Sequence, residues 1–269
     1  MLLPLPEPYD FDVSTERFRT FGVDLANLWH EGGLHRVVAG REVRIEATQF
    51  GVDVEPLDTE TRQVVLKLLG AEFELEPFYA WAAEQPVLDE LAPRLAGFRP
   101  PLAPDPFESL VTSISAQQVS LHAAFAVRNR LIERFGKRGE VAFAFPSRER
   151  IAGANEDELV ALGFSRRKAE YVLGLAHADV DLGGLAALDD DEVRAAVTSL
   201  RGLGPWTAEW FLARHLARPR AWPAGDLGLR KAAELLYGLD VHELGRRLDP
   251  FQNLSAHYLL TGMRVAVPR

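Results

Sequence analysis

The chain has 269 residues, 47% of them hydrophobic, and its 30 Lys and Arg against 39 Asp and Glu give a formal net charge of −9. That length suits one large or two smaller domains with a full core, and no apolar run approaches a membrane span. The absence of cysteine excludes a disulfide framework, an iron–sulfur cluster and any thiolate metal site.

Residues 1–99 read as a small antiparallel sheet with helices. Met1 to Pro6 lacks the basic start and long apolar centre of a signal peptide, so a soluble, cytoplasmic protein is expected. Tyr9 to Val13 reads as an entering strand. Leu34–Ala39 and Glu42–Ala47 alternate apolar and polar around Ala39-Gly40-Arg41, the pattern of a hairpin. Gln49–Val54 is a third strand, and Thr61–Leu69, Phe78–Glu84 and Val87–Leu95 have helical spacing.

The proline-rich stretch Arg99 to Pro104 marks the expected boundary between residues 1–99 and an all-helical segment, 100–269. Asp105, Pro106 and Glu108 form a helix start with a capping box, and Phe107, Leu110, Val111 and Ile114 give its buried face. A continued helix would put Gln118 on that apolar stripe, where an unpaired amide is costly. A break is therefore expected, with Ser120 capping a new helix that ends at Gly136. Asn155 caps a further helix, Gly163 ends it, and Ser165–Leu173 is another with a basic first turn. Leu227–Leu236 and Val241–Leu248 are expected helices, and Asp249–Leu260 closes the fold.

The most informative stretch is 191–216. Asp191–Leu200 is a short amphipathic helix. Gly202 and Gly204 allow positive φ and leave backbone N–H groups uncovered, and Pro205 suits the first position of the next helix. Bare amides at a helix N-terminus favour a phosphate. An ordinary helical corner is the alternative. Asp226 follows Gly204 by 22 residues, at the mouth of another helix. Alone, it reads as an N-cap. Arg201, Arg214, Arg218, Arg220, Arg230 and Lys231 surround hairpin and acid, so an acidic chain still has a basic face for phosphates. Solvated charge is the alternative.

Leu200-Arg-Gly-Leu-Gly-Pro-Trp-Thr-Ala208, with Asp226 ahead of the next helix, resembles the hairpin and acid of the helix-hairpin-helix DNA glycosylases. Within that superfamily it is most similar to the alkylation-repair branch, the DNA-3-methyladenine glycosylase II type. The resemblance is strong over 100–265 and weaker over 1–99. It implies an α+β fold in which a catalytically silent sheet domain precedes a helical glycosylase bundle. It implies a monofunctional enzyme of base excision repair that flips N3-methyladenine or N7-methylguanine out of duplex DNA and hydrolyses the N-glycosidic bond. A monomer, associated with the nucleoid through DNA, is the expected form.

Residue by residue, the resemblance makes Asp226 the catalytic carboxylate. Its charge would stabilise an oxocarbenium-like sugar and orient or deprotonate water. Trp206 and Trp210, four apart on one helix face, would wall the base pocket and attract a cationic base. Phe18 would reach the pocket from the sheet domain; simple packing is the alternative. Gln118, with Gln117 beside it, would fill the gap left by the flipped base; a polar turn is the alternative. Gly202, Leu203, Gly204 and Arg201 would hold the DNA backbone. The carbonyls of Thr198, Leu200 and Leu203 would hold a Na+ or K+ ion, and no other cofactor is expected. Strand-cutting relatives carry a lysine where Trp206 stands, so no lyase step is expected. The chain departs from the pattern at Leu260, where a tryptophan is usual, and at Gln252, where an arginine is usual. A non-catalytic damage-binding protein of the same fold is the rival reading. The scattered histidines give a metal-dependent hydrolase little support.

Overall fold

The structure, a computed structural model, describes residues 1–265; residues 266–269, at the end of the expected helical segment, lie outside the described residues. Its first part is a five-stranded antiparallel sheet in the order β1-β5-β4-β3-β2. The strands are β1 (Leu2–Leu3), β2 (Leu28–His30), β3 (Gly33–Val38), β4 (Arg41–Thr48) and β5 (Gly51–Glu55). The expected hairpin joins β3 to β4, with Val38 opposite Arg41. Its two turn residues, Ala39 and Gly40, have φ of 49° and 77°, the geometry that matches the twist of paired strands. The register aligns Leu34, Ile45 and Val54 across three strands. Their shared face packs on Val65 and Leu68 of α3 (Thr59–Leu68).

Tyr9–Val13 is not a strand. Asp10 caps α1 (Phe11–Thr15) by accepting the Val13 N–H, and α2 (Arg17–Thr20) follows at once. A good N-cap outweighs a short alternation that has no strand partner. The short strands β1 and β2, two and three residues long, carry too little pattern to read from sequence.

The remaining elements are helical: α4 (Leu75–Ala82), α5 (Leu88–Arg94), α6 (Pro106–Ala116), α7 (Leu121–Phe135), α8 (Arg148–Ala152), α9 (Glu156–Ala161), α10 (Arg166–His177), α11 (Asp190–Ser199), α12 (Pro205–Arg214), α13 (Leu227–Ala232), α14 (Val241–Arg247) and α15 (Gln252–Val265). The expected helix over 227–236 changes winding at Ala233–Tyr237, a π-type turn that stops at Gly238 in the left-handed region. Two helical cores form. Ile114, Leu131, Val172, Val197 and Phe211 unite α6, α7, α10, α11 and α12. Phe78, Leu88, Leu229, Leu244 and Tyr258 unite α4 and α5 with α13, α14 and α15. Helices from both sides of the proline-rich joint at 99–104 therefore share one core.

A buried ion network pins the sheet to the first of these bundles. Asp105 caps α6 through the Glu108 N–H at 2.7 Å, as expected. The Glu108 carboxylate does not complete a capping box. It points inward to Arg36 of β3 at 2.6 Å and Arg128 of α7 at 2.7 Å. Arg128 also holds Asp24. Burial pushes the Asp24 carboxyl up, but the Arg128 guanidinium and the Asn27 amide outweigh that and hold it below its ordinary value. Among the described residues, no helix is long and apolar enough to cross a membrane.

Candidate active site

The hairpin is built as its residues require. Asp189 and Glu192 cap α11 reciprocally, which fixes its start. Gly202 turns the chain at φ 86°. A Cβ there would lie 2.2 Å from the Tyr171 ring, so both conformation and space demand glycine. Gly204 does not adopt positive φ. It is the extended N-cap of α12, at φ −105° and ψ −175°, followed by Pro205 in the first turn. Nothing lies within 4 Å of a Cβ built on Gly204. Its surface is open; Pro205 has no N–H and the Thr207 and Ala208 N–H groups donate to the Gly204 carbonyl, which leaves the Trp206 N–H in the first turn of α12 for an anion.

Beside the hairpin, α6 ends at Ala116 and α7 begins at Leu121, capped by Ser120, whose hydroxyl accepts the Ala123 N–H at 3.3 Å. Gln118, between them, is exposed and has φ 54°, a conformation non-glycine residues adopt only when held there. Two ties hold it. The Gln117 side-chain amide donates to the Gly202 carbonyl at 2.9 Å, and Lys168 Nζ donates to the Ser115 carbonyl at 2.9 Å. Gln117 thus joins the loop to the hairpin, and Gln118 and Val119 are exposed at its tip.

Asp226 is delivered by the segment after α12. Glu209 of α12 accepts the Trp222 N–H at 2.8 Å and Arg194 Nε of α11 at 2.6 Å. Trp222 Nε1 donates to the Val241 carbonyl at 2.9 Å, and the Asp226 N–H donates to the Pro223 carbonyl at 2.8 Å. Asp226 then caps α13, its Oδ1 accepting the Leu229 N–H at 3.1 Å. Its Oδ2 accepts the indole N–H of Trp210 at 3.3 Å. Trp206 packs against Gly225, the residue before the acid.

These elements enclose a cleft of about 1430 Å³ bordered by Phe18, Gln118, Tyr171, Trp206, Asp226 and Leu260, among others. Phe18, though buried, borders it from α2. Trp210 borders it too, but only 3% of it is exposed. The Arg214 guanidinium lies 3.4 Å from its ring centroid. The cation over this indole belongs to the protein. Leu203 is buried, and its N–H donates to the Leu200 carbonyl at 3.1 Å. Arg201 is 77% exposed beside the hairpin and pairs with Glu170 at 2.8 Å. Arg218 and Arg220 are engaged within the fold, the first by the Ala186 and Leu188 carbonyls, the second by Asp249. Gln252 donates to Asp249 at 3.2 Å, away from the cleft.

Residues unread from sequence also border the cleft, chiefly Arg17, Phe21, Phe125 and Arg264. Arg17 precedes Phe18 on the one turn of helix that reaches the cleft, and Arg264 follows Leu260 by one helical turn. That spacing was the available signal.

A helical hairpin with an open glycine, a loop tied to it through Gln117 and a fixed carboxylate thus border one cleft. Residues 111–247, half of the chain, match the family described as HhH-GPD superfamily base excision DNA repair protein, and the chain belongs to that superfamily. It is similar to the DNA-3-methyladenine glycosylase of Bacillus subtilis (strain 168), 29% identical over 204 residues that cover 71% of this chain and 67% of that one. It is also similar to DNA-3-methyladenine glycosylase 2 of Escherichia coli (strain K12), 32% identical over 148 residues, 53% of this chain and 50% of that one. The solved 3-methyladenine DNA-glycosylase from Archaeoglobus fulgidus superposes with a TM-score of 0.89 at 26% identity, over 100% of both chains. The chain thus spans between half and two thirds of these two curated relatives, and the whole of the archaeal structure.

Proposed function

We propose that the protein is a monofunctional DNA glycosylase that flips alkylated bases, of the N3-methyladenine and N7-methylguanine type, out of duplex DNA and hydrolyses the N-glycosidic bond. The observation that carries this reading is the placement of the Asp226 carboxylate. It borders the cleft and is held by the Trp210 indole and the Leu229 amide. In the reaction the hairpin and the Trp206 amide take the backbone of the DNA. Gln118 enters the stack in place of the flipped nucleotide. Asp226 faces the sugar as the C1′–N bond opens, stabilises the positive charge that develops there, and orients or deprotonates the attacking water.

The absence of a lyase step is supported by position 206: the strand-cutting relatives that this hairpin resembles carry a lysine there, and Trp206 has no amine to form a Schiff base. The carbonyls of Thr198, Leu200 and Leu203 are hard oxygen donors of the type a Na+ or K+ ion takes. The Leu200 carbonyl already accepts one N–H, from Leu203, and keeps its second lone pair for such an ion. The protein acts as a monomer on double-stranded DNA.

The test is release of free base from methylated duplex DNA, followed by chromatography and by gel analysis of the strand. Released N3-methyladenine or N7-methylguanine, with strand cleavage only after added alkali, is the expected result. Lesion binding without release would leave a damage-binding protein. Enzyme-dependent strand cleavage, trapped by borohydride, would overturn the monofunctional assignment.

A further inference from the structure

A recess of about 50 Å³ adjoins the cleft. Arg17 of α2, Arg214 of α12 and Arg264 and His257 of α15 line it, with Val13 and Leu260 as apolar wall. Its polar atoms lack partners. Arg214 Nε, Arg264 Nε and His257 Nε2 are buried without a hydrogen bond, and His257 is only 6% exposed. Bare buried donors are costly, so such groups are satisfied by water or by a ligand. Guanidinium nitrogens only donate, so the ligand must be an acceptor.

Charge decides between water and an anion. Arg264 reaches Glu16 at 3.4 Å and Thr261 at 3.1 Å. Among the described residues, no carboxylate is hydrogen-bonded to Arg17 or Arg214. Asp24, the acid that acts on Arg17, is bound by Arg128. Asp226, the acid that acts on Arg214, is held by Trp210 and Leu229. Burial and then mutual repulsion lower Arg17 to about 10 and Arg214 further below its ordinary value. His257, held well below its ordinary value by burial and then by Arg214, is uncharged at neutral pH, and its remaining ring proton can be donated. Buried charges need an opposite charge beside them, and water supplies none. Glu16 and Asp226 offset two of the three guanidiniums, which leaves one positive charge. We propose that the recess binds one small monovalent inorganic anion of the chloride class, held by the guanidiniums of Arg17, Arg214 and Arg264 and by the Nε2–H of His257. Because Arg214 also lies over the Trp210 ring, the ion steadies the indole that donates to Asp226. The site does not depend on the reaction proposed above, and its test is made without DNA.

The test is thermal unfolding of the full chain at constant pH and ionic strength, with potassium bromide replacing potassium gluconate, whose anion is too large for the recess. Wild type is expected to melt higher in bromide, by roughly 2 to 5 °C for each tenfold rise in bromide above its Kd. Arg17→Gln and Arg214→Gln should each lose most of that dependence. They lie on separate helices, so a folding defect in one leaves the other informative. Arg214→Lys, which keeps the charge, should retain part of it. Arg94→Gln, at an exposed arginine of α5, should retain all of it. Anomalous diffraction from wild-type crystals soaked in bromide should place one bromide within hydrogen-bond reach of His257 Nε2, and it decides the question if both glutamine variants fail to fold. A melting midpoint indifferent to bromide overturns the inference. So does a dependence that persists in both folded glutamine variants, or bromide bound only outside the recess.

Discussion

The indole N–H of Trp210 donates to Asp226 Oδ2 at 3.3 Å, so a residue placed by sequence on the pocket wall serves to aim the carboxylate. The opposite oxygen is fixed by the backbone of α13. Trp210→Phe keeps most of the packing and removes this one donor. Excision is expected to fall roughly tenfold, by kcat more than by KM, because one hydrogen bond to a charged group is lost. An equal loss in DNA affinity would contradict the positioning role.

At Gly202 the prediction is steric. An added Cβ collides with the Tyr171 ring, and φ of 86° disfavours any side chain. Gly202→Ala should weaken binding to undamaged duplex DNA and lower the unfolding midpoint. Gly204→Ala meets open space, so it should leave stability nearly unchanged while weakening DNA binding. Matching stability losses in the two variants, read by thermal melting, would count against this division.

Glu108 holds two buried arginines between the sheet and the helices. Removing one partner of a buried network leaves charge uncompensated, at about 3 to 5 kcal/mol. Glu108→Ala is expected to destabilise the protein on that scale in urea unfolding at pH 7. A change within about 0.5 kcal/mol, typical of a surface site, would show that water had satisfied the arginines.

The pH dependence of stability follows from two buried histidines: burial and then Arg214 hold His257 well below its ordinary value, and His215 is buried with Nδ1 2.7 Å from the Ala103 carbonyl. Burial and then the nearby Lys67 push its pKa down from 6.5 to about 4. The unfolded chain therefore takes up the proton first as pH falls. The contribution is complete above pH 6.5 and is lost on descending to about pH 4, on the order of 3 kcal/mol in full. Asp24, held below its ordinary 3.8, acts in a lower window. Urea midpoints at pH 7.5 and 4.5 should differ, and His215→Gln should reduce the difference. An unchanged difference in that variant would assign the pH effect elsewhere.

What was legible in the sequence was what local chemistry decides. The caps Asp105, Ser120, Asn155 and Asp226, the break before Gln118 and the turn at Gly202 each follow from one residue and its near neighbours. Contacts across long separations were not legible. The Glu108 carboxylate was read as a cap because its partners lie 72 and 20 residues away. Trp210 was read as a wall although Arg214, one helical turn further along α12, folds over its ring, a contact that the spacing of four made legible. Arg17 and Arg264 reach one recess from opposite ends of the chain, and no sequence window contains both.

The most direct test of the account is single-turnover base release by Asp226→Asn. The amide oxygen can still accept the Leu229 N–H, so α13 keeps its cap. The amide nitrogen then faces the Trp210 N–H, and the negative charge is gone. Melting curves establish that the variant is folded. The account predicts that folded Asp226→Asn binds lesion-containing duplex but loses roughly a hundredfold or more of its release rate, the scale of an electrostatic and general-base group. Release at the wild-type rate would reduce Asp226 to a helix cap and contradict the assignment.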